Sequence, residues 1–237
     1  MITTLYLILL LLSVTYLVSG AYLTARRLKL AVSTAVPGTK VKRYVKSIIK
    51  AWIQTAAVLA IVLISDISFR DIGFRPLNPT DNMRSTVITF ILCGALLTHM
   101  VIPIIKPIYG QKTVKKYGSG NALALPRNKK ERLWWTAVSA TAGITEEIIF
   151  RGFLFYLFFA IFPGIAPITV VFASGAIFGL CHMYQGTRGV VMTGAIGVGM
   201  GYLYIAAGSL IPVILLHFSI DIANVFMLPN EVSTRTA

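Results

Sequence analysis

Charge is scarce in this sequence, and acidic charge is the scarcest. Asp, Glu, Lys and Arg make up 13% of 237 residues, with 8 acids against 22 bases. A soluble domain carries roughly a quarter charged residues, so an ordinary soluble globule is excluded. Cysteine is almost absent. Cys93 and Cys181 both fall in apolar runs, so no disulfide framework is implied. No His-Glu-x-x-His is present, which removes the helical metalloprotease signature. Gly194, Gly197, Gly199 and Gly201 lack a preceding strand and a following lysine, so they are not a phosphate loop. No Lys or Arg precedes the first apolar segment, the opposite of a cleaved signal peptide.

What is present is hydrophobicity. The chain is 56% hydrophobic with a mean hydropathy of +0.77. That points to an all-α, polytopic membrane helix bundle whose length needs only one domain. Seven apolar segments are expected to span, with six to eight admissible: about 3–23, 51–68, 85–105, 133–162, 166–183, 189–207 and 210–228. The net charge of +14 gathers in two loops, 26–50 and 106–132. That pattern is a positive-inside topology signal, and nucleic acid is not an expected partner. It places the N-terminus outside, the C-terminus in the cytoplasm, and the lipid bilayer around the chain. Trp134 and Trp135 read as interfacial anchors. Gly175 with Gly179, and Gly197 with Gly201, are GxxxG pairs suited to close helix packing. The chain divides into N-terminal helices with the basic loops (1–131), a four-helix core (132–228) and a short tail (229–237).

The core carries charges that an apolar run does not tolerate without a reason. An ionisable side chain at bilayer depth costs at least ~2.5 kcal/mol, so such residues are functional candidates. They are Glu146, Glu147 and Arg151 in the fourth segment, His182 after Phe178 in the fifth, and His217 with Asp221 in the seventh. Glu147 and Arg151 stand four apart and can pair on one face. Glu146 points about 100° away from Glu147. His217 and Asp221 are also four apart and can look into one cavity. Counting ~1.5 Å per residue from the segment ends puts Glu146 and His217 at similar depth, while His182 comes out shallower and requires a tilted or shifted helix. His99, in the third segment, reads as an interhelical hydrogen-bonding group.

Glu146-Glu147-x-x-x-Arg151, then Phe178-x-x-x-His182, then His217-x-x-x-Asp221 resemble the CPBP family. These are the intramembrane glutamic endopeptidases of the CAAX protease and bacteriocin-processing Abi group. Ile72-Gly73-Phe74-Arg75 is similar to a Gly-containing segment upstream in that family. The resemblance implies catalytic roles for Glu146, His182, His217 and Asp221. Glu146 and His182 would activate a water, and His217 and Asp221 would sit at the oxyanion. Glu147, Arg151 and Phe178 would shape the site or orient substrate. An ionised Asp221 cannot donate a hydrogen bond to an oxyanion.

The expected activity is metal-independent hydrolysis of a peptide bond in a membrane-associated peptide or protein, in a prokaryotic cell membrane. Two alternatives stay open on the residues alone. Glu146, His182, His217 and Asp221 are competent zinc ligands, which would make a zinc-dependent version of the same protease. Intramembrane acids and histidines also serve proton relays, so a non-enzymatic transporter or immunity protein is the second alternative. No inverted repeat of the charged motif is present, which counts against the transporter.

Overall fold

The computed structural model describes residues 2–31, 39–76, 126 and 128–226. The third expected span, His99, Cys93 and most of the second basic loop lie outside the described residues. Among the described residues all regular structure is helical. The helices are α1 (Ile2–Ala31), α2 (Thr39–Ile64), α3 (Lys129–Glu147), α4 (Leu154–Ile161), α5 (Pro167–Cys181), α6 (Gly186–Ala207) and α7 (Leu210–Phe226). A π-helical turn, Ile148–Phe153, joins α3 to α4, and a 3₁₀ turn, Met183–Gln185, joins α5 to α6.

Among the described residues, three helical stretches are long and apolar enough to cross a membrane: Thr4–Arg26, Lys40–Ile64 and Met183–Ala207. α5, at 15 residues, is shorter than the segment 166–183 expected for it. Its start is set by Pro167 in the first turn, and its end by His182, whose backbone leaves the helical region. The first basic loop is also shorter than expected. Lys40, Lys42, Arg43, Lys46 and Lys50 ride on α2. Lys and Arg are good helix formers whose stems can lie along apolar surface, so basic composition did not break the helix.

α3 begins at Asn128, whose side-chain oxygen accepts from the Glu131 amide at 2.9 Å. Glu131 also meets Lys40 Nζ at 3.4 Å, which ties the starts of α2 and α3. Two close helix contacts then build the core. Gly143 lets α3 approach the α7 backbone: a Cβ there would lie 3.1 Å from the Phe218 nitrogen. Gly175 and Gly179 do the same for α5 against α6, where added Cβ atoms would come within 2.9 Å of the Val198 nitrogen and 2.6 Å of the Val190 carbonyl oxygen. The GxxxG spacing therefore serves packing.

The π-helical turn is buried at every residue. Ile148 faces a cluster formed with Met200, Leu203, Val213 and Leu216 of α6 and α7. Ile149, Phe150 and Phe153 face the opposite way, toward Leu10 of α1 and Val62 of α2. The Ile72–Arg75 segment clamps this turn from outside. A Cβ on Gly152 would lie 2.7 Å from the Ile72 carbonyl oxygen. Gly73, with φ of 85°, accepts from the Leu210 amide at 3.0 Å, and Ser209 Oγ donates to the Arg75 carbonyl at 2.6 Å. A side chain at position 73 would be strained in that left-handed conformation.

Candidate active site

α3 and the π-helical turn deliver three charges to one place. Arg151 Nη1 donates to Glu147 Oε1 at 2.8 Å, and both side chains are fully buried. Arg151 Nη2 donates to the Gly197 carbonyl of α6 at 3.0 Å. The guanidinium carbon lies 4.8 Å from the centre of the Phe178 ring, a cation–π contact from α5. One arginine thus links α3, α5 and α6. The π-helical turn adds a further link, since the Phe150 carbonyl accepts from Ser174 Oγ of α5 at 3.4 Å. Such turns recur at functional sites because the extra residue re-aims nearby side chains.

α7 brings the second half. His217 Nδ1 lies 2.6 Å from Glu147 Oε1, so that one oxygen serves both Arg151 and His217. With Nδ1 donating to the carboxylate, the other ring nitrogen is left on the side of Glu146 and Asp221. His217 Nε2 is 3.9 Å from Glu146 Oε2 and 3.9 Å from Asp221 Oδ2. Those are ion-pair separations, too long for hydrogen bonds. The imidazole is therefore anchored on one side and flanked by two carboxylates on the other. Glu146 Oε2 is buried and has no hydrogen-bond partner among the described residues. It is an unspent acceptor beside Nε2.

His182 joins through Phe178. Its ring centre is 4.6 Å from that of Phe178, which in turn meets His217 edge-on at 6.0 Å. His182 Nδ1 sits 2.9 Å from the Phe178 carbonyl. A carbonyl only accepts, so Nδ1 carries the proton and Nε2 holds the lone pair in the neutral ring. Among the described residues no hydrogen bond or ion pair joins His182 directly to Glu146. His182 lies past the end of α5, in the turn before α6, which is how the shorter helix still presents it. Cys181, its neighbour, is a free thiol in the apolar cluster around Phe150 and Phe178.

Glu146, Glu147, Arg151, Phe178, His182, His217 and Asp221 are thus gathered by α3, α5, α7 and the turns at their ends. Residues 128–223 match the family model described as Rce1-like type II CAAX prenyl endopeptidase. Over these residues the chain is similar to the CAAX proteases. No curated protein and no solved structure matches the chain. Every residue of the three motifs falls inside the matched residues, and the Ile72–Arg75 clamp falls outside them.

Two features of this core had no sequence signal. The Glu147–His217 bond joins residues 70 positions apart, which spacing along one helix cannot reveal. Trp135 does more than mark an interface. Its Nε1 donates to the Asp221 carbonyl at 3.4 Å and its ring packs edge-on against Tyr44 of α2 at 5.7 Å. Among the described residues no three His, Cys, Asp or Glu side chains converge as a metal-ligand set.

Proposed function

We propose that the chain is a metal-independent glutamic endopeptidase, with its C-terminus in the cytoplasm, that cuts a peptide bond in a membrane-associated peptide or protein. The observation that carries this reading is the unpartnered Glu146 Oε2 facing an imidazole that Glu147 anchors from behind. Amide hydrolysis needs an activated water, a proton carrier and donors for the oxyanion. Glu146 accepts the proton of the attacking water and returns it to the leaving amine. His182 Nε2, the acceptor nitrogen, aligns that water. His217, once protonated at Nε2, donates to the developing oxyanion while Glu147 holds Nδ1. Asp221 orients His217 and offsets its charge. Glu147 and Arg151 position this group, and Phe178 sets the spacing between the two imidazoles.

The family description favours a prenylated C-terminal peptide over a bacteriocin precursor as the first substrate class to try. The test uses the purified full chain with a prenylated, quenched-fluorescence peptide ending in Cys-aliphatic-aliphatic-Xaa. Glu146→Gln and His182→Ala each abolish cleavage, and 1,10-phenanthroline leaves it unchanged. Cleavage that is lost to the chelator and restored by zinc replaces the metal-free mechanism with the zinc-dependent one. Cleavage that survives Glu146→Gln removes Glu146 from the chemistry.

A further inference from the structure

Neither α1 nor α2 carries an acid, and the first in the chain is Asp66. α2 nevertheless carries Lys42, Lys46 and Lys50, spaced by four, and all three are exposed. Bases one turn apart on the same face repel each other. Lys40 lies on the face toward α3, where Glu131 pairs with it. Among the described residues no ion pair is made by Lys42, Lys46 or Lys50.

The inner end of this stripe meets α1. Lys50 Nζ lies 3.4 Å from the place a Cβ on Gly20 would take, so the ammonium rests beside α1 backbone that carries no side chain. Leu10 of α1 and Val62 of α2 share the cluster around the π-helical turn. The two helices therefore run antiparallel, and Arg26, exposed on α1, falls at a level between Lys42 and Lys46. Depth adds a second requirement. Lys50 stands six residues beyond Tyr44, whose ring meets Trp135, so its Cα lies ~9 Å further along α2 than that aromatic pair. Its neighbours Ile49, Trp52 and Ile53 are exposed apolar side chains, in a stretch long and apolar enough to cross a membrane. An ammonium among lipid-facing side chains needs an anion close by.

We propose that the cleft between α1 and the first half of α2 binds an anionic phospholipid. Lys46, Lys50 and Arg26 hold its phosphodiester, and an acyl chain lies along Ile49, Trp52 and Ile53. A zwitterionic lipid carries its own ammonium, which offsets the phosphate, so the cleft selects the anionic headgroup. Lys46 stands two residues from Tyr44 and so projects away from α3. The site is separate from the cluster around Glu146 and does not depend on the hydrolytic reading.

The experiment delipidates the full chain in a neutral detergent, adds phosphatidylglycerol or phosphatidylcholine, and measures bound lipid by native mass spectrometry. Wild type should hold one phosphatidylglycerol about tenfold or more tightly than phosphatidylcholine. Lys46→Gln with Lys50→Gln should lose about tenfold in that affinity. Lys129→Gln with Lys130→Gln removes the same charge from the start of α3 and should stay within about threefold of wild type. Gly20→Leu keeps every charge and fills the place beside Lys50, and should weaken binding as the Lys46 and Lys50 pair does. The lysine variants alter exposed side chains and still report if Gly20→Leu fails to fold. Equal losses in the two lysine pairs mean diffuse attraction to a basic surface and overturn the site. A folded Gly20→Leu that binds as tightly as wild type overturns its placement in the cleft. Equal affinity for the two lipids overturns the headgroup selection, and displacement by millimolar inorganic phosphate makes a free anion the ligand instead. If Lys46→Gln with Lys50→Gln raises KM for the prenylated peptide in lipid-free detergent, the bases serve the substrate carboxylate and the lipid proposal fails.

Discussion

Arg151→Met tests the centre of the site directly. Arg151 and Glu147 are both fully buried and meet at 2.8 Å. Removing the guanidinium leaves the buried Glu147 carboxylate with His217 as its remaining partner, and breaking such a buried pair typically costs about 3–5 kcal/mol. At ~2–4 °C per kcal/mol for a chain of this size, Tm should fall by about 6–20 °C. Part of the loss has other sources. The Gly197 carbonyl loses its donor, worth about 1–3 kcal/mol for a buried acceptor. Phe178 loses a cation–π contact worth about 0.5–2 kcal/mol. The double variant Arg151→Met with Glu147→Gln separates these. It keeps both of those losses but removes the Glu147 charge, and the Gln carbonyl can still accept from His217 Nδ1. It should recover about 2 kcal/mol, or roughly 4–8 °C, over Arg151→Met alone. Thermal challenge followed by fluorescence-detected size exclusion in detergent measures both variants. If the double variant is no more stable than Arg151→Met, Glu147 is not a charge that Arg151 neutralises, and the account of the site as an anchored ion-pair network is wrong.

Three further outcomes follow from the packing and the electrostatics, each with its own measurement. Gly175→Ala should destabilise by about 1–3 kcal/mol, because its Cβ would meet the Val198 backbone nitrogen at 2.9 Å, while Gly199→Ala, with nothing within 4 Å, should be neutral or slightly stabilising. The same thermal assay compares them. Gly152→Ala should push Ile72 off the π-helical turn, seen as faster proteolysis within residues 66–76 in limited digestion. Asp71 accepts from the Ser68 amide and hydroxyl at 2.9 and 2.6 Å, and these bonds hold its carboxyl below its ordinary 3.8. A lowered carboxyl supplies its stability above the unfolded value and loses it as pH falls through the folded one. Amide exchange at Ser68 should therefore quicken below about pH 4 in the wild type, and Asp71→Asn should show the faster exchange at neutral pH as well. Equal exchange in the two proteins at neutral pH would remove Asp71 from the turn.

The route from residues to site differed between its parts. The Glu147–Arg151 and His217–Asp221 pairings were legible because each lies within one helix, where a separation of four fixes the neighbours. The α5–α6 contact was legible from small residues four apart. The extent of α2 was not legible, since basic composition marks topology without breaking a helix. Nor was the end of α5, which is set by the local turn at His182 and not by hydropathy. The interruption of the fourth segment by a π-helical turn left no trace in periodicity, because all six of its residues are buried.

Glu146, Glu147 and Arg151 stood out in the sequence because charge in an apolar run is costly wherever the chain folds. The sequence alone therefore pointed to a helical membrane bundle and to candidate site residues in its fourth, fifth and seventh apolar segments. Only the tertiary structure decided which charge meets which. Gly143 lets α7 close on α3, and that approach gives Glu147 to His217 and leaves Glu146 Oε2 at ion-pair distance from the same ring, without a hydrogen bond among the described residues. Contacts between helices depend on register and crossing geometry summed over the whole bundle. A one-dimensional pattern states which residues need a partner and leaves the partner open.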